Sequence, residues 1–124
     1  MSHGKILLFG VGVAALIFVG VSVWNRIAPG KYDAFAQCLG EKGATFYGAF
    51  WCPHCQEQKK LFGRSADELP YVECSTPGGQ DQLPVCAEAG VKNYPTWVFA
   101  AGERLSGLIP LETLAEKTGC ALPL

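Results

Sequence analysis

The sequence predicts an α/β domain, a central mixed sheet flanked by helices, that follows one N-terminal transmembrane helix. The first observation is an apolar run, since no charged residue occurs from Ile6 to Trp24. The second is that later segments alternate strand-like and helix-like patterns in the order β-α-β-α-β-β-α. About ninety residues follow the anchor, enough for one modest core and not two. We therefore expect an anchor and short linker at 1–31 and one domain at 32–124.

The apolar run at 6–24 has the length of a membrane span. As a helix it covers about 28 Å, close to the hydrocarbon thickness of a bilayer. Lys5 precedes it and Arg26 and Lys31 follow, so the positive-inside rule does not fix its orientation. Ala34-Phe35-Ala36 offers a cleavage pattern, but it lies well past the apolar run and inside a predicted helix. We favour an uncleaved anchor, although cleavage stays open.

The remaining elements follow from periodicity and turn residues. Ala28-Pro29-Gly30 makes a short break, and the helical spacing of Tyr32, Phe35 and Leu39 predicts a helix that ends near 40–43. The later predicted elements are a strand at 44–50, a helix from Cys52 to about Phe62, a strand near 70–74, a flexible loop rich in Pro, Gly and Gln at 75–82, a short helix at 83–90, strands at 96–101 and 103–108, and a helix from Pro110 to Gly119.

Cys52-Pro53-His54-Cys55 is the motif that carries chemistry. Two cysteines one helical turn apart can interconvert between dithiol and disulfide. Pro53 is tolerated in the first turn, where its missing N–H would have no partner. The helix N-terminus favours the thiolate of Cys52, and a partly cationic His54 would tune it in the same direction. The motif therefore predicts a reactive, partly exposed Cys52 and a more protected Cys55.

The strand, Trp51, the Cys-x-x-Cys motif and the following helix resemble the thioredoxin superfamily. Tyr94-Pro95-Thr96, with Pro95 placed 43 positions after Cys52, is the second marker. The resemblance implies a thioredoxin-like fold that lacks the first strand of full thioredoxin. It also implies a cis peptide bond at Pro95, facing the cysteines, and a substrate surface shaped by Trp51, Tyr94 and Pro95.

Within that superfamily, the chain is most similar to the thioredoxin-like domain associated with bacterial vitamin K epoxide reductase homologues. The similar segments are 43–55, Tyr71-Val72-Glu73-Cys74, Cys86 and Tyr94-Pro95-Thr96-Trp97, within Tyr32 to Cys120. The four transmembrane helices of the reductase are absent from this sequence, so quinone reduction is not assigned to it. The resemblance implies a separate, reductase-like membrane protein as redox partner.

Six cysteines in so short a chain predict an oxidising compartment, with residues 1–5 in the cytoplasm and residues 32–124 outside. Cys74 and Cys86 bracket the 75–85 loop and match the second cysteine pair of the reductase-associated domains. They form either a structural staple or a redox relay. Cys38 and Cys120 remain for a bridge or for a disulfide to a second chain. A direct bridge is awkward if their helices pack on opposite faces of the sheet, unless Cys120 lies past its helix end.

The predicted function is thiol–disulfide exchange through Cys52 and Cys55, most simply as an oxidant of exported proteins. A tethered thiol reductase, as in cytochrome c maturation, and a non-catalytic binding module are the alternatives. Phe46 stands where thioredoxin has a buried acid, so that proton acceptor for Cys55 is missing, and Glu57 is the substitute considered. We expect no cofactor, no metal, since His54 and the cysteines make poor zinc geometry, and no nucleic acid, given the net charge of −1.

Overall fold

The computed structural model describes residues 2–124 and places five α-helices, one 3-10 helix and four strands within them. In chain order these are α1 (His3–Ile27), α2 (Asp33–Glu41), β1 (Thr45–Gly48), α3 (Pro53–Phe62), the 3-10 helix Gly63–Glu68, β2 (Tyr71–Glu73), α4 (Pro84–Glu88), β3 (Thr96–Val98), β4 (Arg104–Ser106) and α5 (Leu111–Thr118).

The four strands form one mixed sheet in the order β2-β1-β3-β4. β1 pairs in parallel with β2, and β3 is antiparallel to both β1 and β4. Helices flank this sheet, and a long apolar helix precedes it. The predicted fold class, a thioredoxin-like fold after one N-terminal helix, is therefore confirmed.

Alternation along β1 divides the interior into two clusters, because successive side chains of a strand point to opposite faces. Phe46 is fully buried and stacks on Trp97, its register partner in β3, with ring centroids 4.9 Å apart. This main core also receives Phe35 of α2, Phe62 of α3 and Leu114 of α5. The second cluster lies against Tyr47 and Val72 and contains Cys74, Cys86 and Val91.

The packing of α2 and α5 corrects one expectation. These helices contact each other and contribute to the same main core, so they do not lie on opposite faces of the sheet. α5 ends at Thr118, and Gly119 takes the left-handed conformation that terminates it. Cys120 therefore lies past the helix end, within reach of Cys38 on α2.

Element bounds differ from the prediction mainly at the last two strands. Both are three residues long, because the chain already turns after Phe99. There the N–H of Gly102 donates to the carbonyl of Phe99, and the N–H of Phe99 donates to the carbonyl of Glu103. The 3-10 helix after α3 was not predicted, since Gly63 and Arg64 give no apolar periodicity.

α1 is 25 residues long and apolar enough to cross a membrane, and none of its residues is buried against the rest of the protein. A signal sequence near an N-terminus would pass the same test of length and composition. The segment after α1 is tied to the 3-10 helix. Arg64 donates to the carbonyl of Ala28 at 2.7 Å, and the N–H of Tyr32 donates to the Ser65 hydroxyl at 2.9 Å. The domain therefore lies close to the end of α1.

Candidate active site

The cysteine motif sits where β1 gives way to α3. β1 ends at Gly48, a short turn contains Trp51, and Cys52 is the residue that caps α3. Its Sγ accepts a hydrogen bond from the backbone N–H of Cys55 at 3.3 Å. An N-terminal turn of a helix has backbone donors without intrahelical partners, and here one of them is directed at sulfur. A backbone N–H donor at a helix N-terminus is the kind of contact that favours negative charge on a sulfur atom.

Both motif cysteines are free thiols and both are buried. Cys52 is 4 % exposed and Cys55 is 1 % exposed. The prediction of a partly exposed Cys52 is therefore wrong in degree, because its Sγ turns inward to the N–H of Cys55 instead of outward to solvent. Cys55 is the less exposed of the two thiols, as predicted, but the difference in their exposure is small.

Cys55 is packed closely against β1. A Cβ on Gly48 would lie 3.1 Å from the Cys55 Sγ and 2.9 Å from the Tyr71 ring, so only glycine leaves room for both. Burial, and after it the side-chain hydrogen bond with Cys52, raise the pKa of the Cys55 thiol to about 12. Cys55 is thus a protonated thiol at neutral pH.

The Tyr94–Pro95 peptide bond is cis, and Pro95 is buried. Thr96, the first residue of β3, pairs with Tyr47 of β1, one residue before the end of that strand. This register brings Pro95 to the same edge of the sheet as the cysteine motif. The rings of Trp51 and Tyr94 meet edge to face with centroids 6.0 Å apart, so the three residues expected to shape a substrate surface lie together.

The His54 side chain contacts Glu57 on the same helix. Its Nδ1 lies 3.2 Å from a carboxylate oxygen of Glu57, and both side chains are more than half exposed. Within residues 2–124 the structure records no hydrogen bond between His54 and Cys52. Tuning of Cys52 by His54 stays a prediction, and Glu57 is a solvated residue engaged with His54.

Phe46, at the position of the missing acid, lies between two aromatic rings. It stacks on Trp97 and meets the edge of Tyr71 at 5.1 Å. Lys59 places its ammonium 3.5 Å from the centre of the Tyr71 ring, a cation–π contact. Burial and the neighbouring Glu73 carboxylate raise the pKa of the Tyr71 hydroxyl. The surroundings of Cys55 are therefore aromatic, with Lys59 as the nearby cation.

Glu73 is the site residue that the sequence analysis missed. Its carboxylate accepts hydrogen bonds from the Tyr71 hydroxyl at 2.7 Å, the N–H of Phe50 at 3.2 Å and the N–H of Ser75 at 2.9 Å. Ser75 in turn accepts from the Trp51 indole N–H at 2.9 Å. The position of Glu73 is the signal that could have identified it. Glu73 ends β2, which is parallel to β1, and parallel strands end at the same edge of a sheet.

The other four cysteines form two disulfides within the chain. Cys74 is joined to Cys86, with Cα atoms 5.5 Å apart, and Cys38 is joined to Cys120, with Cα atoms 5.9 Å apart. The first closes the loop 75–82, which is held internally by an antiparallel bridge between Ser75 and Gln82. The backbone of this loop is also hydrogen-bonded to itself, and its flexibility stays a prediction.

Comparison with known proteins identifies a relative of this chain. The chain is 50 % identical over 93 residues to a thiol-disulfide oxidoreductase, LTO1, of Arabidopsis thaliana. The match covers 72 % of this chain but 24 % of the relative, so the chain spans about a quarter of that protein's length. No protein-family model matches the chain. This similarity supports a thioredoxin-like oxidoreductase domain.

Proposed function

We propose that the chain is a membrane-anchored protein-disulfide oxidoreductase that oxidises exported proteins through the Cys52–Cys55 couple. One observation carries the proposal: the Cys52 sulfur lies at the N-terminus of α3 and accepts the N–H of Cys55. Such a contact lowers the free energy of the reduced, thiolate-containing form. A couple whose reduced form is stabilised is a stronger oxidant. The similarity to a protein named as a thiol-disulfide oxidoreductase supports the same reaction class.

The reaction is two successive exchanges. A client thiolate attacks Sγ of Cys52, the Cys52–Cys55 bond breaks, and Cys55 leaves as a thiolate that takes up a proton. A second client thiolate then attacks the client sulfur of this mixed disulfide and releases Cys52 as a thiolate. The client loses two electrons and two protons and gains one disulfide, and the chain ends with one thiolate and one protonated thiol after a proton passes to solvent.

The surroundings of Cys55 favour this direction. Burial raises the pKa of the Cys55 thiol, so the thiolate released in the first exchange takes up a proton and stays a thiol at neutral pH. The reductase direction needs the opposite, removal of a proton from Cys55 so that it can resolve a mixed disulfide. Phe46 offers no carboxylate for that step, and the Glu73 carboxylate is engaged by three donors.

Membrane placement belongs to the same proposal. Residues 1–31 form an uncleaved anchor and short linker, residues 1–5 are cytoplasmic, and the redox domain 32–124 is exocytoplasmic. The two structural disulfides support an oxidising compartment for that domain. The reduced couple is reoxidised by a separate membrane quinone reductase similar to vitamin K epoxide reductase, which accepts the two electrons.

Trapping tests the proposal. The full chain with Cys55→Ser, in detergent, is mixed with a reduced, unfolded client such as ribonuclease in a glutathione buffer. We expect a mixed disulfide on Cys52, because the resolving thiol is gone, and none with Cys52→Ser, the matched control. Equal trapping by both variants, or by neither, would contradict the assignment of Cys52 as the reacting sulfur.

A further inference from the structure

A pocket of about 220 Å³ opens beside the cysteine motif. Trp51, the residue before Cys52, and Tyr94, the residue before the cis proline, form its aromatic sides. The 75–82 loop supplies the rest of the lining. Pockets for drug-sized molecules hold roughly 300–1,000 Å³. This one is smaller, which suits a single side chain of a longer partner.

The loop side of the pocket is held in place. The backbone of Asp81 bonds to Thr76 twice, as acceptor from its N–H at 3.0 Å and as donor to its hydroxyl at 3.3 Å. Gly79 has φ of +73° and packs on the Trp51 ring, where an added Cβ would lie 3.4 Å from Cδ1. The disulfide between Cys74 and Cys86 closes the loop at its base. The pocket is therefore built before any ligand arrives.

Three of the donor groups that line the pocket are already used. The Trp51 N–H goes to Ser75, and the Ser75 hydroxyl goes to the carbonyl of Thr76. The Gln82 amide nitrogen donates to the carbonyl of Val91 and to the Tyr94 hydroxyl.

The carboxylate and amide oxygens of the lining are not used. Among residues 2–124 the Asp81 carboxylate has no hydrogen bond and no ion pair, and it is the only carboxylate in the lining. The Gln82 amide oxygen accepts no recorded bond in the same part of the chain. These free acceptors, on the exposed side chains of Asp81 and Gln82, favour a ligand that brings donors and positive charge.

We propose that this pocket is a subsite for a basic side chain, with arginine preferred, next to the reacting cysteine of the client. A guanidinium group is planar, stacks on aromatic faces and carries five donors for carboxylate and amide oxygens. Trp51 and Tyr94 supply the aromatic sides, and Asp81 supplies the charge. The subsite rests on the proposed function, since it selects clients for that exchange.

The test compares dithiol peptides that differ at one position beside a cysteine, with Arg, Gln or Glu there. The oxidised full chain in detergent oxidises each peptide, and mass spectrometry follows the cyclic product. An Arg neighbour also activates the peptide thiol by itself. The measured quantity is therefore the Arg-to-Gln rate ratio in the native chain, divided by the same ratio in Asp81→Asn.

We expect this quotient to be about fivefold, with Glu peptides slowest, and to fall as salt is added. Glu88→Gln removes an exposed carboxylate of α4 that does not line the pocket, and it should keep the native ratio. A quotient near one, or an equal loss of preference in Glu88→Gln, would overturn the subsite while leaving the exchange reaction intact. Failure to oxidise any of the peptides would instead overturn the proposed function and the subsite with it.

Discussion

The carboxylate of Glu73 accepts the backbone N–H of Phe50, two residues before Cys52, at 3.2 Å. The same oxygen accepts the N–H of Ser75, and the other accepts the Tyr71 hydroxyl. One side chain thus joins the end of β2 to the turn that contains Trp51 and leads into the cysteine motif. Glu73 is a positioning residue, because it acts on the reacting sulfur through the backbone.

Glu73→Ala should slow thiol exchange at Cys52 by about tenfold and lower the free energy of unfolding by about 1–3 kcal/mol. Two backbone N–H groups and one hydroxyl lose their acceptor. Glu73→Gln is the matched control, since its amide oxygen still accepts from the backbone. Stopped-flow exchange with a small disulfide and urea unfolding measure the two effects. Equal exchange rates in the native chain and in Glu73→Ala would contradict the positioning role.

The raised pKa of the Cys55 thiol predicts that the rate of thiol exchange depends on pH. Only its thiolate attacks a mixed disulfide on Cys52, and its pKa is raised to about 12, chiefly by burial. Raising the pH deprotonates it, so the rate of this attack should climb about tenfold per pH unit from pH 7 to 10. Release of thionitrobenzoate from a Cys52 mixed disulfide reports the rate. A plateau below pH 9 would contradict the raised pKa of the Cys55 thiol.

Gly48→Ala should destabilise the reduced protein by about 1–3 kcal/mol, because the new methyl group would crowd the Cys55 sulfur and the Tyr71 ring. It should also change the alkylation rate of the motif thiols. Gly78→Ala is the control, since its Cβ would meet nothing closer than 3.9 Å. Urea unfolding and timed alkylation measure both effects. Matching behaviour of the two variants would contradict the close packing of Gly48.

Several features of this fold could be predicted from local patterns. The helix after Cys52 ends at Phe62 in both prediction and structure, because capping, a first-turn proline and a following glycine all act locally. The cysteine pair at the start of that helix follows from the same signals. The mixed sheet follows from the order of strand-like and helix-like segments.

What the sequence could not predict depends on tertiary packing. The burial of Cys52 depends on which way its sulfur turns, and the role of Glu73 depends on the parallel pairing of β1 with β2. The placement of α2 against α5, and with it the position of Cys120, is also set by tertiary contacts. None of these leaves a signal in sequence periodicity.

The Cys38–Cys120 disulfide, with a sequence separation of 82, should act on stability alone. Closing a loop of that size contributes about 4 kcal/mol in the chain-entropy model. Replacing both cysteines by Ala should lower the free energy of unfolding by about that amount and leave the exchange rate at Cys52 within about twofold.

Replacing Cys74 and Cys86 by Ala is the comparison variant. It opens a shorter loop that carries the pocket beside Trp51, so the Arg preference should fall along with stability. Loss of exchange at Cys52 in the Cys38 and Cys120 variant, while it remains folded, would contradict a purely structural bridge.

The reduction potential of the Cys52–Cys55 couple tests the central claim most directly. The full chain in detergent is equilibrated with glutathione redox buffers, and the fraction of reduced couple is counted by alkylation and mass spectrometry. A stabilised Cys52 thiolate predicts a potential well above about −200 mV, the range of oxidising members. A value near or below about −270 mV, the range of thioredoxin, would contradict the account and make the chain a reductase.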